Sequence, residues 1–291
     1  QANTSSILAM FEDQRGQISS LLAIAGQGQP LVNFRSEGNE NHVLRVITDP
    51  EIINQIATSL SSEPLYIADG HHRYESALAY QREQIAQTDT NGDEPFNFVM
   101  MTLVDFTDPG LLILPPHRMV RGISQSLLKG LMANLEVFFD IEMLSLSTPG
   151  VWQRVDVLLA EEGNVRLVLF GINKGNLLVL SVRDPSVIIP MMPHFHSELY
   201  QRLDVSIVDH VILGNLLSLS DQHDNSFFDY SYSRQDAINR VLSQEYQLAC
   251  LVSPVKSEVV KAIADVGDRM PKKSTYFYPK LPSGLLFNRL V

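Results

Sequence analysis

One stretch of this chain carries residue types and spacing that could do chemistry by themselves: "YIADGHHRYESALAY", residues 66–80. Asp69, Gly70, His71, His72 and Arg73 stand side by side between an apolar run and a helical pattern, where a single polar cap would start a helix. With Asp69 as N-cap, its carboxylate would accept the N–H of residue 71 or 72, and Gly70 would leave room for a ligand. The helix N-terminus offers an anion free N–H groups and a positive dipole end, and Arg73 with His71 or His72 adds directional donors. That is phosphate-binding chemistry. Two plainer readings compete. One is a capped helix start with solvated histidines. The other is a zinc or manganese site on His71 and Glu75, spaced i, i+4 with Asp69 nearby, which departs from the H-E-x-x-H pattern.

Other polar clusters lie further along. His117 and Arg118, in "LLILPPHRMV", follow an apolar segment that Pro115 and Pro116 hold extended, and strand ends are where α/β proteins place ligand contacts. In "MPKKSTYFYPKLPSG", Lys272, Lys273, Ser274, Thr275 and Lys280 set cations and hydroxyls around an aromatic strand, as a second anion contact or a solvated turn. His194 and His196, in "MMPHFHSEL", have H-x-H spacing that a strand could turn toward a metal and a loop would leave idle. Asp204 and His210 are expected to cap and flank an apolar helix in "LDVSIVDHVILGNLL".

The elements that must position these groups are legible from pattern. "SILAMFED" reads as a strand and "RGQISSLLAIAG" as a short helix. "TDPEIINQIATSL" is a helix with Asp49 as N-cap, Pro50 in its first turn and Ile52, Ile53, Ile56 and Leu60 on one face. The motif helix is expected to turn Tyr74, Ala77 and Leu78 inward. A helix and a hairpin fit "VWQRVDVLLAEEGNVRLVLFGINKGNLLVLSV", with turns at "EEGN" and "NKGN". Helices in "ISQSLLKGLMANL", "RQDAINRVLSQ" and "VKSEVVKAIADVG" and a buried strand "QLACLVS" complete a mixed α+β pattern. Two regions are expected, 1–150 around the motif and 151–291 packed on it.

Composition narrows the function classes. The 291 residues hold 33 Asp and Glu against 22 Lys and Arg, a net charge of −11, so a broad nucleic-acid face is excluded while a local phosphate pocket is not. Cys250 is the only cysteine; it reads as a core thiol, and a disulfide framework or cysteine metal site is ruled out. No apolar run reaches the roughly 18 residues of a spanning helix, and no signal pattern opens the chain, so a cytoplasmic protein without membrane contact is expected. The start at Gln1, running at once into a strand, reads as the interior of a longer protein. P-loop, dinucleotide-binding and hydrolase-elbow motifs have no match.

Together "YIADGHHRYESALAY", "LLILPPHRMV" and "MPKKSTYFYPKLPSGLLF" resemble the DUF1015 family over nearly the whole chain. Its D-G-H-H-R core is similar to the signature of the ParB-like superfamily, which includes the free-serine kinases. The local order repeats: helix 50–60, strand 64–68, motif, helix, strand 96–104. This resemblance implies a ParB-like strand–DGHHR–helix core elaborated by further sheet and helix. It maps Asp69, Gly70, His71, His72 and Arg73 onto a phosphate-binding turn, with catalytic roles expected for Asp69, His71 and His72 and phosphate or nucleotide contacts for Gly70 and Arg73; His117, Arg118, Lys273 and Ser274, read from their own clusters, are expected to add further such contacts. The implied activity is nucleotide-dependent phosphotransfer to a small hydroxylated metabolite such as a serine-like amino acid, with ATP or ADP and Mg²⁺. A catalytic glutamate upstream of the motif has no match by pattern; Glu37 and Glu40, in "RSEGNEN", are the candidates. A metal-dependent phosphoester hydrolase using Asp69, His71, His72 and His117, or a nucleotide-binding regulator without turnover, are the alternatives.

Overall fold

Five consecutive apolar residues, Ile7–Phe11, form a strand buried along its whole length, as the middle strand of a covered sheet requires. In the computed structural model it is the centre of a three-stranded sheet. Tyr66–Asp69 pairs with it antiparallel, with a bulge between Leu8 and Ala9, and Met101–Asp105 pairs parallel on the other side. Both flanking strands start later than the sequence suggests, because Pro64 lies outside the ladder and Pro95–Asn97 makes a 3₁₀ turn. The structure describes residues 1–290 other than 37, 88, 162–164, 174 and 220–226.

The described chain divides into two units, Gln1–Leu111 with Pro279–Val291, and Leu112–Tyr278. Residue 150, the expected divide, falls inside the second. In the first unit, helix Pro50–Leu60 starts as its sequence dictates, Asp49 accepting the Glu51 N–H at 2.9 Å with Pro50 in the first turn. The motif helix spans His71–Ile85. Its inward stripe is narrower than expected, since Ala77 and Leu78 are half-buried but Tyr74 is exposed.

The second unit is built on a six-stranded, wholly antiparallel sheet. Its strand order is Phe228–Ser231, His117–Val120, Leu248–Leu251, Arg166–Phe170, Asn176–Val182, Phe139–Ser145. Period-two alternation divides its side chains between two cores. Leu167, Leu169, Leu178 and Leu180 pack with Leu131 and Leu135 of helix Gln125–Phe138. Val168, Phe170, Leu177 and Val179 pack with Val155 of helix Val151–Ala160 and Ile238 of helix Arg234–Leu242. The expected helix, Val151–Ala160, and antiparallel pair, Arg166–Phe170 with Asn176–Val182, are present, while the turns expected at "EEGN" and "NKGN" lie partly outside the described residues. The helix expected after Asp204 is present but π-helical over Ile207–Leu216, with Ile207, Val208, Val211 and Ile212 buried. The architecture is mixed α+β. Among the described residues no helix is long and apolar enough to cross a membrane.

Candidate anion site at the strand-to-helix turn

The turn that joins strand to motif helix is made by Gly70, not by Asp69. Gly70 occupies the N-cap position at φ 91°, ψ 26°, a left-handed conformation in which a Cβ is strained. Asp69 remains in the strand, paired with Leu8, and so does not cap residue 71 or 72 as expected. Its Oδ1 accepts from the Gly70 N–H at 2.8 Å and its Oδ2 from Lys280 Nζ at 2.9 Å. Burial pushes the Asp69 carboxyl up, but Lys280, the Gly70 N–H and the Arg73 charge outweigh it and hold the group below its usual range. Asp69 is therefore ionised at neutral pH and a weak base there.

The first helical bond runs from Tyr74 N–H to the Gly70 carbonyl at 3.0 Å, which leaves the N–H groups of residues 71–73 without intrahelical acceptors. Arg73 lies back over this opening. Its Nη1 donates to Ser5 Oγ and, at 2.6 Å, to the Ser6 carbonyl. Its Nε and Nη2 have no hydrogen-bond partner among the described residues, and both would stand 2.8 Å from a Cβ at Gly70. Gly70 is thus required twice, by its dihedral and by the guanidinium resting on it. The result is a fixed fork of unused donors beside unused backbone N–H groups, the arrangement that binds phosphate oxygens. His71 and His72 are exposed on the same turn. His72 Nδ1 lies 3.3 Å from Glu75 Oε2, so Glu75 neighbours His72 rather than the expected His71. A groove of about 400 Å³ runs from Arg73 along the helix flank, lined by Thr4, Ser5, His72, Ser76 and Tyr80 among others.

The remaining sequence-predicted residues lie in the second unit. His117 and Arg118 open a strand, His117–Val120, and are buried there at 4% and 1% exposure rather than facing solvent. His117 Nδ1 accepts the Val252 N–H at 3.2 Å. Burial, with the Arg234 and Arg118 charges, pushes its pKa down to about 4. Arg118 donates from Nε and Nη2 to the two Asp209 carboxylate oxygens, each at 2.8 Å, and from Nη1 to the Pro116 carbonyl at 2.7 Å. The fork that a phosphate would need is taken by Asp209, which makes Arg118 a structural ion-pair partner. Its Cζ sits 5.5 Å from the Tyr230 ring centre, and Lys273 Nζ sits 5.9 Å from the same ring. Lys273 is left-handed at φ 53°. Ser274 is buried with its hydroxyl unpartnered among the described residues. The two motifs therefore meet around Tyr230.

His196 is also committed, its Nδ1 2.7 Å from Asp268 Oδ1 and its ring stacked on Tyr200 at 3.7 Å; His194 is exposed. Among the described residues no group of three His, Cys, Asp or Glu side chains could hold a metal, and both Asp69 oxygens are engaged. Among the described residues the turn therefore does not fit a protein-held metal. Glu37 lies outside the described residues. Glu40 sits in the loop between Val32–Arg35 and Asn41–Leu44, 3.7 Å from His42 Nε2. Sequence reasoning missed Ser5, Ser6, Asp209 and Tyr230. Asp209 alone left a signal, an acid within an apolar helical run that must find a partner.

An α+β protein in which a strand gives way to a helix at a glycine turn overlaid by arginine is the class these observations define. The family model described as "Protein of unknown function (DUF1015)" matches residues 1–206, and the chain belongs to that family. No curated protein matches. Among solved structures, the chain is similar to a conserved hypothetical protein from Pyrococcus furiosus, at 14% identity and TM-score 0.40, covering 97% of this chain and 91% of that one. It is also similar to a free serine kinase in complex with AMP, at 13% identity and TM-score 0.34, covering 95% and 90%. A mutant of such a kinase in complex with ADP matches at 12% identity and TM-score 0.34, with the same coverage.

Proposed function

We propose that the chain is a nucleotide-dependent phosphotransferase of ParB-like type acting on a small hydroxylated metabolite. One observation carries the reading: Arg73 is held by Ser5 and Ser6 so that its Nε and Nη2 stay unused beside the open helix start at Gly70. Phosphoryl transfer demands positioning and charge neutralisation more than covalent chemistry, and such a turn supplies both to the phosphates of ATP or ADP. In the proposed step the substrate hydroxyl oxygen bonds to the terminal phosphorus while the bond to the nucleotide's bridging oxygen breaks. The hydroxyl proton passes to His71 or His72, imidazoles exposed on the same turn. Asp69 acts as the anchor of Lys280. Lys273 and Ser274 are the second unit's candidates for an anion contact.

Isothermal calorimetry with ATP and ADP, with and without Mg²⁺, tests the reading. Binding is expected, and Arg73→Ala should weaken it by about 1.5 to 3 kcal/mol, the range for a hydrogen bond to a charged group. Absence of binding by every nucleotide would overturn the proposal. Binding without transfer to any hydroxyl acceptor would reduce the protein to a nucleotide-responsive regulator.

A further inference from the structure

The groove beside Arg73 has a chemical bias that bears on the acceptor, and the inference rests on the phosphotransferase reading above. Among the described residues, ten line the groove, and none of these is Asp or Glu. Its polar walls are hydroxyl or amide groups from Asn3, Thr4, Ser5, Ser76 and Tyr80, together with the side chains of His72 and Arg73. The two carboxylates of the same helix start are outside the lining and occupied, Asp69 by Lys280 and the Gly70 N–H, Glu75 next to His72.

A zwitterionic amino acid needs an anion for its ammonium, because an ammonium moved out of water without one is strongly disfavoured. Here it would meet hydroxyls and a guanidinium. A hydroxyl in the same place can donate to or accept from Ser, Thr, Tyr and Asn groups alike. A ligand carboxylate would face Arg73 and His72, which favour it.

We infer that the groove takes a small polyhydroxy acid without an amino group, of the glycerate type, rather than a serine-like amino acid. Glycerate and serine form a matched pair, differing only in a hydroxyl where serine carries its ammonium. Calorimetry on the intact chain with nucleotide bound should give glycerate at least about tenfold tighter binding than serine, the discrimination expected when one ligand leaves a polar group unpaired. Ser76 is exposed on the helix, so replacing it leaves the core untouched. Ser76→Asp should narrow or reverse the preference by supplying the missing anion, and Ser76→Asn should not.

Serine binding as well as or better than glycerate, or an unchanged ratio in Ser76→Asp, would overturn the inference even if nucleotide binds normally. Neither compound binding while nucleotide does would also overturn it. Loss of nucleotide binding itself would count against the phosphotransferase reading instead.

Discussion

Gly70→Ala is the sharpest perturbation of the turn, because two separate costs meet there. A non-glycine residue at φ 91° carries a left-handed penalty of about 1 to 2 kcal/mol. The new Cβ would also lie 2.8 Å from Arg73 Nε and Nη2 and 3.0 Å from Cζ. The guanidinium must therefore move, yet its Nη1 is anchored on Ser5 and Ser6. Releasing one of those charge-assisted bonds costs about 1.5 to 3 kcal/mol, and the half-buried site lets water recover part of it. Taken together the substitution should destabilise the protein by about 2 to 4 kcal/mol.

Arg73→Ala separates the two costs, because it removes the clash along with the bonds. If the reasoning holds, Gly70→Ala costs little beyond the left-handed penalty once Arg73→Ala is present, and the cycle shows a coupling of at least about 1 kcal/mol. Urea unfolding of the four proteins, followed by far-UV circular dichroism, measures it. Costs that add to within about 0.5 kcal/mol would show that Arg73 does not rest on Gly70, and the fixed fork would go with it.

In the second unit, Arg118→Met strips Asp209 of its bidentate partner and should cost about 3 to 5 kcal/mol of stability with nucleotide affinity unchanged; weaker binding in a folded variant would restore Arg118 to the site. His117 and Asp204 should make opposite contributions to acid stability, read from chemical unfolding between pH 7 and 4. With its pKa lowered from 6.5 to about 4, neutral His117 gives stability present above about pH 6.5 and lost toward pH 4, on the order of 3 kcal/mol, and His117→Gln should abolish that loss. Burial pushes the Asp204 carboxyl up to about 6, from 3.8, despite the Ser253 and Val205 N–H groups it accepts. Its ionisation therefore destabilises the fold as pH rises from about 4 to 6, and Asp204→Asn should steepen the acid loss; profiles parallel to the parent's would refute both assignments.

Much of the scaffold was legible because its signals are local. Asp49 and Pro50 start their helix through neighbouring atoms, and the alternation in Arg166–Phe170 and Asn176–Val182 sorts side chains between two cores without reference to distant chain. The site was legible only as far as the motif's own backbone goes. Asp69 meets Lys280 across 211 positions, and Arg73 meets Ser5 across 68. The cap was misassigned for the same reason: Asp is a better N-cap than Gly by residue type, but the strand ladder to Leu8 holds Asp69 and leaves the turn to Gly70. The C-terminal motif divides between Tyr278 and Pro279, so Lys273 and Ser274 belong to one unit and Lys280 to the other. Adjacency in sequence suggested a single cluster of cations where the fold assigns them to different surroundings.

Arg73 and Arg118 show where sequence pattern stops deciding function. Each follows a histidine, each stands at the edge of an apolar strand pattern, and each can present the same planar fork. What separates them is which edge of the guanidinium is already bonded. In Arg118 the Nε and Nη2 edge is closed by Asp209, a residue 91 positions away, and a buried charge without that partner would be costly. Among the described residues Arg73 is hydrogen-bonded only through Nη1, to a neutral hydroxyl and a carbonyl, and the carboxylate that feels its charge, Asp69, is itself bonded to Lys280. A neutral anchor leaves the arginine its attraction for an anion, whereas a carboxylate partner consumes it. An acid placed opposite Arg73, as in Ser5→Asp, should therefore turn the fork into a second Arg118: a turn at least as stable as the parent's, with nucleotide affinity reduced toward that of Arg73→Ala. Undiminished nucleotide binding in Ser5→Asp would show that charge at Arg73 is not what holds the phosphate.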